Sequence, residues 1–417
     1  MQTITMNTAM ANFGDLYKAK VTMLLIGLPG LGKTEMIIKK SKELLTDDGT
    51  ESSNSYEEND GIVYTKDIPG FFSIDMSAIP ADGLMMPYLD NQGEDRLKRD
   101  MLNEFKQLKK YLAKYPTNDA IFFIDEMTSA NQDDQRTLMN FVQSGLLPDG
   151  SRIDISRVEF VLAGNPSADM PGYEDYDGAT NPIEEAVITR GATFYVTADV
   201  REFIKYGERS NENGLNNIHP YIVAALKNDG SIFGKRVEDD NRLLNARTAS
   251  KLSDYFYNTN QWRPEVVNAL VGDATGATLC SLIEKLDKSV NYHQLFGAKS
   301  STSSDKMTAE INKAKDLDKT EFDKYQHLQP FEQYYIVQMV VQSPMIQFSH
   351  KNNMIKLKKL LQATSAEITT SFATYLTSAE TSSLKNAKDI MNAKWLTDPD
   401  TDVTSYLRES KRLNGTI

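Results

Sequence analysis

Gly27-Leu28-Pro29-Gly30-Leu31-Gly32-Lys33-Thr34 follows the apolar run Val21-Thr22-Met23-Leu24-Leu25-Ile26 directly and leads into Glu35-Met36-Ile37-Ile38-Lys39-Lys40, which has helical spacing. The pattern G-x-x-x-x-G-K-[ST], set between a strand and a helix, is a phosphate cradle. Its glycines let backbone N–H groups curl around anionic oxygens. Lys33 is placed to reach the β- and γ-phosphates and the Thr34 hydroxyl to ligate Mg²⁺. The helix that follows adds the positive end of its dipole. Residues 27–34, with Glu35 behind them, are therefore read as the segment that binds a nucleoside triphosphate.

Outward from this loop, strands alternate with helices. Phe71-Phe72-Ser73-Ile74-Asp75 reads as a second strand, and Ala120-Ile121-Phe122-Phe123-Ile124-Asp125 as an almost wholly apolar one of the kind buried in a parallel sheet. Two more are expected at 158–163 and 192–196. Apolar residues at Leu97, Met101, Leu102, Phe105, Leu108 and Leu112 predict a helix across 94–112. Residues 46–61 are polar and acidic and read as a surface loop. The alternation predicts an α/β fold around a parallel five-stranded sheet, with ligands at the carboxyl ends of its strands. After about residue 198 the strand signals nearly stop. The expected division is an α/β nucleotide-binding domain over 1–198, a smaller helical domain over 199–297, a linker at 298–310 and a helical C-terminal region over 311–417.

Bulk composition narrows the function. The chain has 417 residues, room for two or three domains, and its 40% hydrophobic and 25% charged content is ordinary for a globular protein. A net charge of −12 argues against broad electrostatic capture of nucleic acid or an anionic membrane. One cysteine, Cys280, permits no intramolecular disulfide and suits a reducing compartment. No apolar run approaches the length of about 18 residues that a membrane span needs, and the first twenty residues lack a signal-peptide core. A cytoplasmic protein without a membrane anchor is the expectation. The four histidines show no pair at zinc-ligand spacing.

Acidic, amide and guanidinium groups then fall at informative positions. Asp125 and Glu126 end the apolar strand, where one carboxylate can hold Mg²⁺ opposite Thr34 while its neighbour deprotonates an attacking water. Asn165, in Leu162-Ala163-Gly164-Asn165-Pro166, ends the next strand with an amide that can orient that water and the γ-phosphate. Arg190 precedes the last strand and Arg247 opens a later helix; guanidinium groups suit charge on a transferring phosphoryl group.

Taken in order, GLPGLGKT, IFFIDE, LAGNP, the ITRG arginine and the NAR arginine resemble the ATPase core of AAA+ proteins, specifically the MoxR-like branch related to dynein-type modules. The resemblance spans about residues 15–295. Residues 145–157, GLLPDGSRIDISR, look like the short hairpin that this branch inserts, and 73–87 are similar to a segment that frames a central-channel loop there. The resemblance implies a P-loop NTPase core with a helical lid over 199–297, ATP and Mg²⁺ as cofactors, and a ring, usually a hexamer, with ATP at subunit interfaces. It assigns phosphate and Mg²⁺ binding to Lys33 and Thr34, the Mg²⁺ carboxylate to Asp125 and the general base to Glu126. Asn165 becomes the first sensor, Arg190 the trans-acting arginine finger and Arg247 the cis sensor on the lid. Gly191 stands where the family usually has a large apolar residue, and Arg201 is the nearest alternative finger. Remodelling or assembly of a protein client, often with a von Willebrand factor A-type partner, is the implied activity. Related rings also act on nucleic acid. The densest basic stretch, Lys98, Arg99, Lys106, Lys109 and Lys110, lies largely on the polar side of the expected helix and interleaves with acids, which favours a protein client over a nucleic-acid motor or loader.

Overall fold

The computed structural model describes residues 3–46, 57, 60–79, 83–90, 96–167, 170, 181, 188–235, 242–299, 303–378 and 385–391. The chain divides into two compact units, Met1–Ala198 and Asp199–Ile417.

In the first unit the described elements are, in chain order, β1 (Thr3–Thr5), α1 (Met6–Ala19), β2 (Met23–Gly27), α2 (Lys33–Thr46), β3 (Phe71–Asp75), β4 (Met85–Asp90), β5 (Arg96–Met101), α3 (Asn103–Lys114), β6 (Ala120–Asp125), α4 (Gln132–Ser144), β7 (Val158–Gly164) and β8 (Ala192–Thr197). Six strands form a parallel sheet in the order β1-β8-β2-β7-β6-β3. The sheet therefore has one strand more than the five expected. The addition is β1, whose Thr-Ile-Thr pairs with β8 from Thr3↔Tyr195 onward and is too short to show alternation. Thr5 then caps α1, its hydroxyl accepting the Thr8 N–H at 3.3 Å.

Strands covered on both faces favour apolar residues at every position, which is why β6 reads as a hydrophobic run and β7 as one interrupted only by Glu159. Alternate side chains feed two cores. Leu24, Ile26, Phe72, Ile74, Phe122, Ile124, Phe160 and Leu162 pack towards α3 and α4, while Met23, Leu25, Phe71, Ile121, Phe123, Val161 and Ala163 pack towards α1 and α2. On the first face, Phe141 of α4 meets Phe105, Phe122 and Phe160 edge-on, each with ring centroids 5.1 Å apart. The registers Ile26↔Gly164, Ile124↔Leu162, Asp75↔Asp125 and Gly27↔Val196 bring the carboxyl ends of five strands to one edge.

The helix expected across 94–112 begins only at Asn103; Arg96–Met101 instead pairs with Met85–Asp90 as an antiparallel hairpin. Leu97 and Met101 are four residues apart, a spacing that puts both on one side of a helix and equally on one side of a strand. Lys98 and Arg99 consequently lie on β5, apart from the helical lysines. The hairpin anticipated within 145–157 is present: Leu146 bridges Arg152, and the Leu147 N–H donates to Ser151 O at 2.8 Å. Gly145 permits it, because its φ is 64° and a Cβ there would sit 2.1 Å from Ile153 O. The acidic stretch 46–61 falls largely outside the described residues, as do residues 80–82 of the expected channel-loop segment, 182–187 ahead of Arg190, and the tail from 392.

The second unit is helical: α5 (Val200–Glu208), α6 (Pro220–Asn228), α7 (Ala246–Thr259), α8 (Pro264–Val271), α9 (Asp273–Ser289), α10 (Tyr292–Leu295), α11 (Ser304–Lys313), α12 (Lys319–Gln326), α13 (Pro330–Gln342), α14 (Lys351–Gln362), α15 (Ala366–Ser378) and α16 (Lys385–Met391). The expected break between 199–297 and 311–417 is not a domain boundary. One hydrophobic core runs from Phe203 to Ile390, and α11 starts inside the stretch read as linker, where Met307 and Ile311 supply a helical apolar spacing beneath a Ser-rich surface. α13, at its centre, is buried on nearly all sides. Polar contacts cross the same supposed boundary. Lys227 on α6 meets the buried Glu208 at 2.9 Å and Glu367 of α15 at 3.1 Å, while the Ser371 hydroxyl donates to Glu208 at 2.7 Å. Lys356 on α14 is fully buried and donates to the carbonyls of Phe296 (2.6 Å) and Ile311 (2.9 Å). No helix among the described residues is long and apolar enough to cross a membrane.

Two stability consequences follow from these buried charges. Removing one member of a buried pair strands the other. Lys227→Met is expected to destabilise the second unit by roughly 3–5 kcal/mol in urea unfolding, and adding Glu208→Gln should recover part of that loss. Glu159, inside β7 and only 1% exposed, has no hydrogen-bond partner for either carboxylate oxygen among the described residues. Burial, against the pull of Lys20, pushes its carboxyl from 4.5 up to about 8. Between those values the folded state holds a proton that the unfolded state has released, so ionisation opposes folding increasingly as pH rises through the window. Glu159→Gln should raise Tm clearly at pH 8.5 and much less at pH 5; an advantage independent of pH would contradict the assignment.

Candidate active site

β2 delivers Gly27 to the carboxyl edge, where it packs directly on β8: a Cβ at Gly27 would lie 2.5 Å from Val196 Cγ2 and 2.7 Å from Val196 O. Leu28, Pro29, Gly30, Leu31 and Gly32 then curl back to start α2 at Lys33, with Gly30 and Gly32 at φ 80° and 85°, values that L side chains rarely adopt. The N–H groups of the first turn of α2 lie at this loop. Lys33 is 6% exposed, and its Nζ donates to Gly27 O (2.6 Å), Leu28 O (3.1 Å) and Asn165 Oδ1 (3.1 Å). Thr34 Oγ1 donates to Asp125 Oδ2 at 2.6 Å. Glu35 is exposed and borders a cavity of about 430 Å³ together with Ile38, Lys42 and Lys66.

Asp125 ends β6 beside Asp75, which ends β3. Burial raises the Asp125 carboxyl, as does the charge of Asp75, while the Thr34 hydroxyl, the Glu126 amide and Lys33 draw it down. Glu126 turns the chain out of the strand in the left-handed region, at φ 51° and ψ 40°. That conformation costs energy for a residue with a Cβ, and it aims the carboxylate across the edge of the sheet. Glu126 N–H donates to Asp125 Oδ1 at 2.9 Å, and Asn165 Nδ2 donates to Glu126 Oε2 at 2.6 Å.

Asn165 follows β7, the strand between β2 and β6. Its single amide thus serves both neighbours, accepting from Lys33 and donating to Glu126. Its backbone N–H donates to Thr128 Oγ1 at 3.0 Å. Lys33, Thr34, Asp125, Glu126 and Asn165, predicted separately along 132 residues of chain, are brought together. The arrangement offers anion-binding N–H groups, a buried cation, a pair of hard oxygens and a carboxylate held by an amide. Asp75 and Thr128 were not singled out in the sequence. Asp75 could have been found by its likeness to Asp125, as an acid ending an apolar strand; Thr128 carries no such signal.

Arg190 is not gathered with these residues. Arg190 is exposed in the turn before β8, and Ala192 pairs with Met23 at the opposite end of the sheet from Gly27. The four strand steps from Ala192 to Val196 alone span about 13 Å, and Arg190 precedes Ala192, so Arg190 does not reach the loop of its own chain. Gly191 has a physical reason to interrupt the family pattern: a Cβ there would lie 2.5 Å from Thr22 O, to which Ala192 N–H donates at 2.8 Å. Arg247 is exposed in the first turn of α7 in the second unit, behind an Asn245–Thr248 capping box. Arg201, also in the second unit, is exposed in the first turn of α5.

No protein-family model matches the chain, and no curated protein sequence matches it. Among solved structures, it is similar to NtrX from Brucella abortus, with a TM-score of 0.35 and 11% identity over 78% of this chain and 67% of that one. It is also similar to a proposed ATPase from Cytophaga hutchinsonii, with a TM-score of 0.30 and 10% identity over 98% of this chain and 90% of that one. Scores this low carry no functional assignment, and what the chain can do follows from the geometry of its own site.

Proposed function

We propose that this chain is a Mg²⁺-dependent ATPase of the AAA+ type, MoxR-like in its motifs, that works as a ring and couples hydrolysis to remodelling a protein partner. The observation that carries the hydrolytic reading is the shared Asn165 amide, which ties the phosphate-loop lysine to a carboxylate placed as a base. In that reading the triphosphate lies along the loop, held by the N–H groups at the start of α2. Lys33 turns from the Gly27 and Leu28 carbonyls to the β- and γ-phosphates. Asn165 orients a water in line with the γ-phosphorus, and Glu126 takes its proton as the new P–O bond forms. The bond from the γ-phosphorus to the β,γ-bridging oxygen breaks, and ADP and phosphate leave. Thr34 Oγ1 and Asp125 Oδ2, converging to 2.6 Å, are hard oxygens of the kind Mg²⁺ takes, so the residues present fit the ion. Bound there, Mg²⁺ would supply charge neutralisation at the phosphate oxygens.

A ring is favoured by the distance of Arg190 from its own loop: a guanidinium for the transition state would come from a second copy. The likeness of the motifs to the MoxR-like branch supports a protein client or a von Willebrand factor A-type partner, and the net charge of −12 weighs against nucleic acid.

Glu126→Gln should leave ATP affinity within about threefold and reduce kcat by about 10²–10⁴-fold, read by a fluorescent-nucleotide titration beside a phosphate-release assay. Full turnover in that variant would refute the base. Arg190→Ala and Lys33→Ala proteins, each inactive alone, should regain part of the activity when mixed; no recovery at any ratio would count against a finger acting between subunits.

A further inference from the structure

We propose that Thr128 is the positioning residue of this site: its hydroxyl fixes the backbone of Asn165 so that the amide meets Lys33 and Glu126 together. The inference rests on the ATPase reading above. Thr128 lies two residues beyond Glu126, in the turn Met127–Ser129, and is fully buried. Its hydroxyl and methyl both hold the end of β7, and its carbonyl holds Asn181. Oγ1 accepts the Asn165 N–H at 3.0 Å, the carbonyl accepts the Asn181 N–H at 2.8 Å, and Cγ2 sits where a Cβ on Gly164 would come within 2.9 Å. The turn that carries the base therefore also anchors the amide that orients it.

Asn165 depends on that anchor more than most residues at a strand end would. Ladder pairing of β7 ends at Ile124↔Leu162 on the β6 side and at Ile26↔Gly164 on the β2 side, so Asn165 is the first residue beyond the last paired position. Pro166 follows and has no N–H to offer, which leaves the Asn165 N–H as the donor at this bend. A small rotation of the Asn165 backbone would carry Nδ2 away from Glu126 Oε2, a contact of 2.6 Å with no slack. Misplacement by about 1 Å in such a constellation can cost 10²-fold in rate.

Hydroxyl and methyl are separable by substitution. Thr128→Val keeps the bulk against Gly164 and removes the acceptor; Thr128→Ser keeps the acceptor and removes the methyl. Expected for Val is a fall in kcat of about 10–10²-fold with the Kd for ATP within about threefold, and for Ser a kcat within about threefold of the parent protein even if Tm drops. In an Asn165→Ala background Thr128→Val should cause no further loss, because both act through one amide. Val with parental kcat, Ser as impaired as Val, or effects that multiply in the double variant would each overturn the proposal. Should Val not fold, Thr128→Ala against Thr128→Ser compares the same site with and without the hydroxyl. Parental turnover in both Glu126→Gln and Asn165→Ala would sink the ATPase reading itself, whereas losses there beside an unaffected Thr128→Val would sink the positioning role alone.

Discussion

Parallel pairing of β6 with β7, and of β7 with β2, sets where every reactive side chain lies. A parallel sheet delivers all its strand ends to one edge, and the strand order decides which ends are neighbours. Here β7 sits between the strand that supplies the phosphate loop and the strand that supplies both carboxylates. The residue after β7 is therefore the one position from which a short amide can touch Lys33 on one side and Glu126 on the other. The same logic places Asp125 against Thr34, since the helix that follows β2 begins within reach of the tip of β6.

How much of this was legible in the sequence depends on how strongly each feature is encoded locally. The loop was, because its glycines answer to positive φ at Gly30 and Gly32 and to the close approach of Val196 at Gly27. β6 and β7 were, because burial on both faces leaves apolar runs of strand length, broken in β7 only at Glu159. The β4–β5 pairing was not: Leu97 and Met101 satisfy helix and strand alike, and what decides between them is the partner strand Met85–Asp90. Thr128 was invisible for a related reason. Its role comes from Gly164 and Asn165, residues 36 and 37 positions away, which only the sheet brings near.

The second unit makes the opposite point about composition. A Ser- and Lys-rich stretch at 298–310 looks like a solvated connection, yet the core beneath it is continuous. Burial of Lys356 explains why. A fully buried ammonium is tolerated only when its protons find acceptors, and here the carbonyls of Phe296 and Ile311 supply them from both sides of the supposed linker. Desolvation still draws this lysine down to about 8. Glu208, Lys227, Glu367 and Ser371 repeat the arrangement elsewhere. Such groups are costly to bury singly, so their partners are fixed by necessity, and the helices that carry those partners belong to the same folded unit.

Gly191 ties the fold to the question of assembly. The start of β8 is pressed against the Thr22 carbonyl so closely that no side chain fits between them, and the Ala192 N–H completes the contact. With β8 fixed there, Val196 must meet Gly27 at the other end, and Arg190 must stay at the end remote from the phosphate loop. Rotamer changes cannot close a gap of at least about 13 Å, since an arginine side chain extends only about half of that and the strand from Ala192 to Val196 rises about 3.3 Å per residue. The glycine that departs from the expected family pattern is thus the residue that keeps Arg190 exposed at the end of the sheet remote from the phosphate loop.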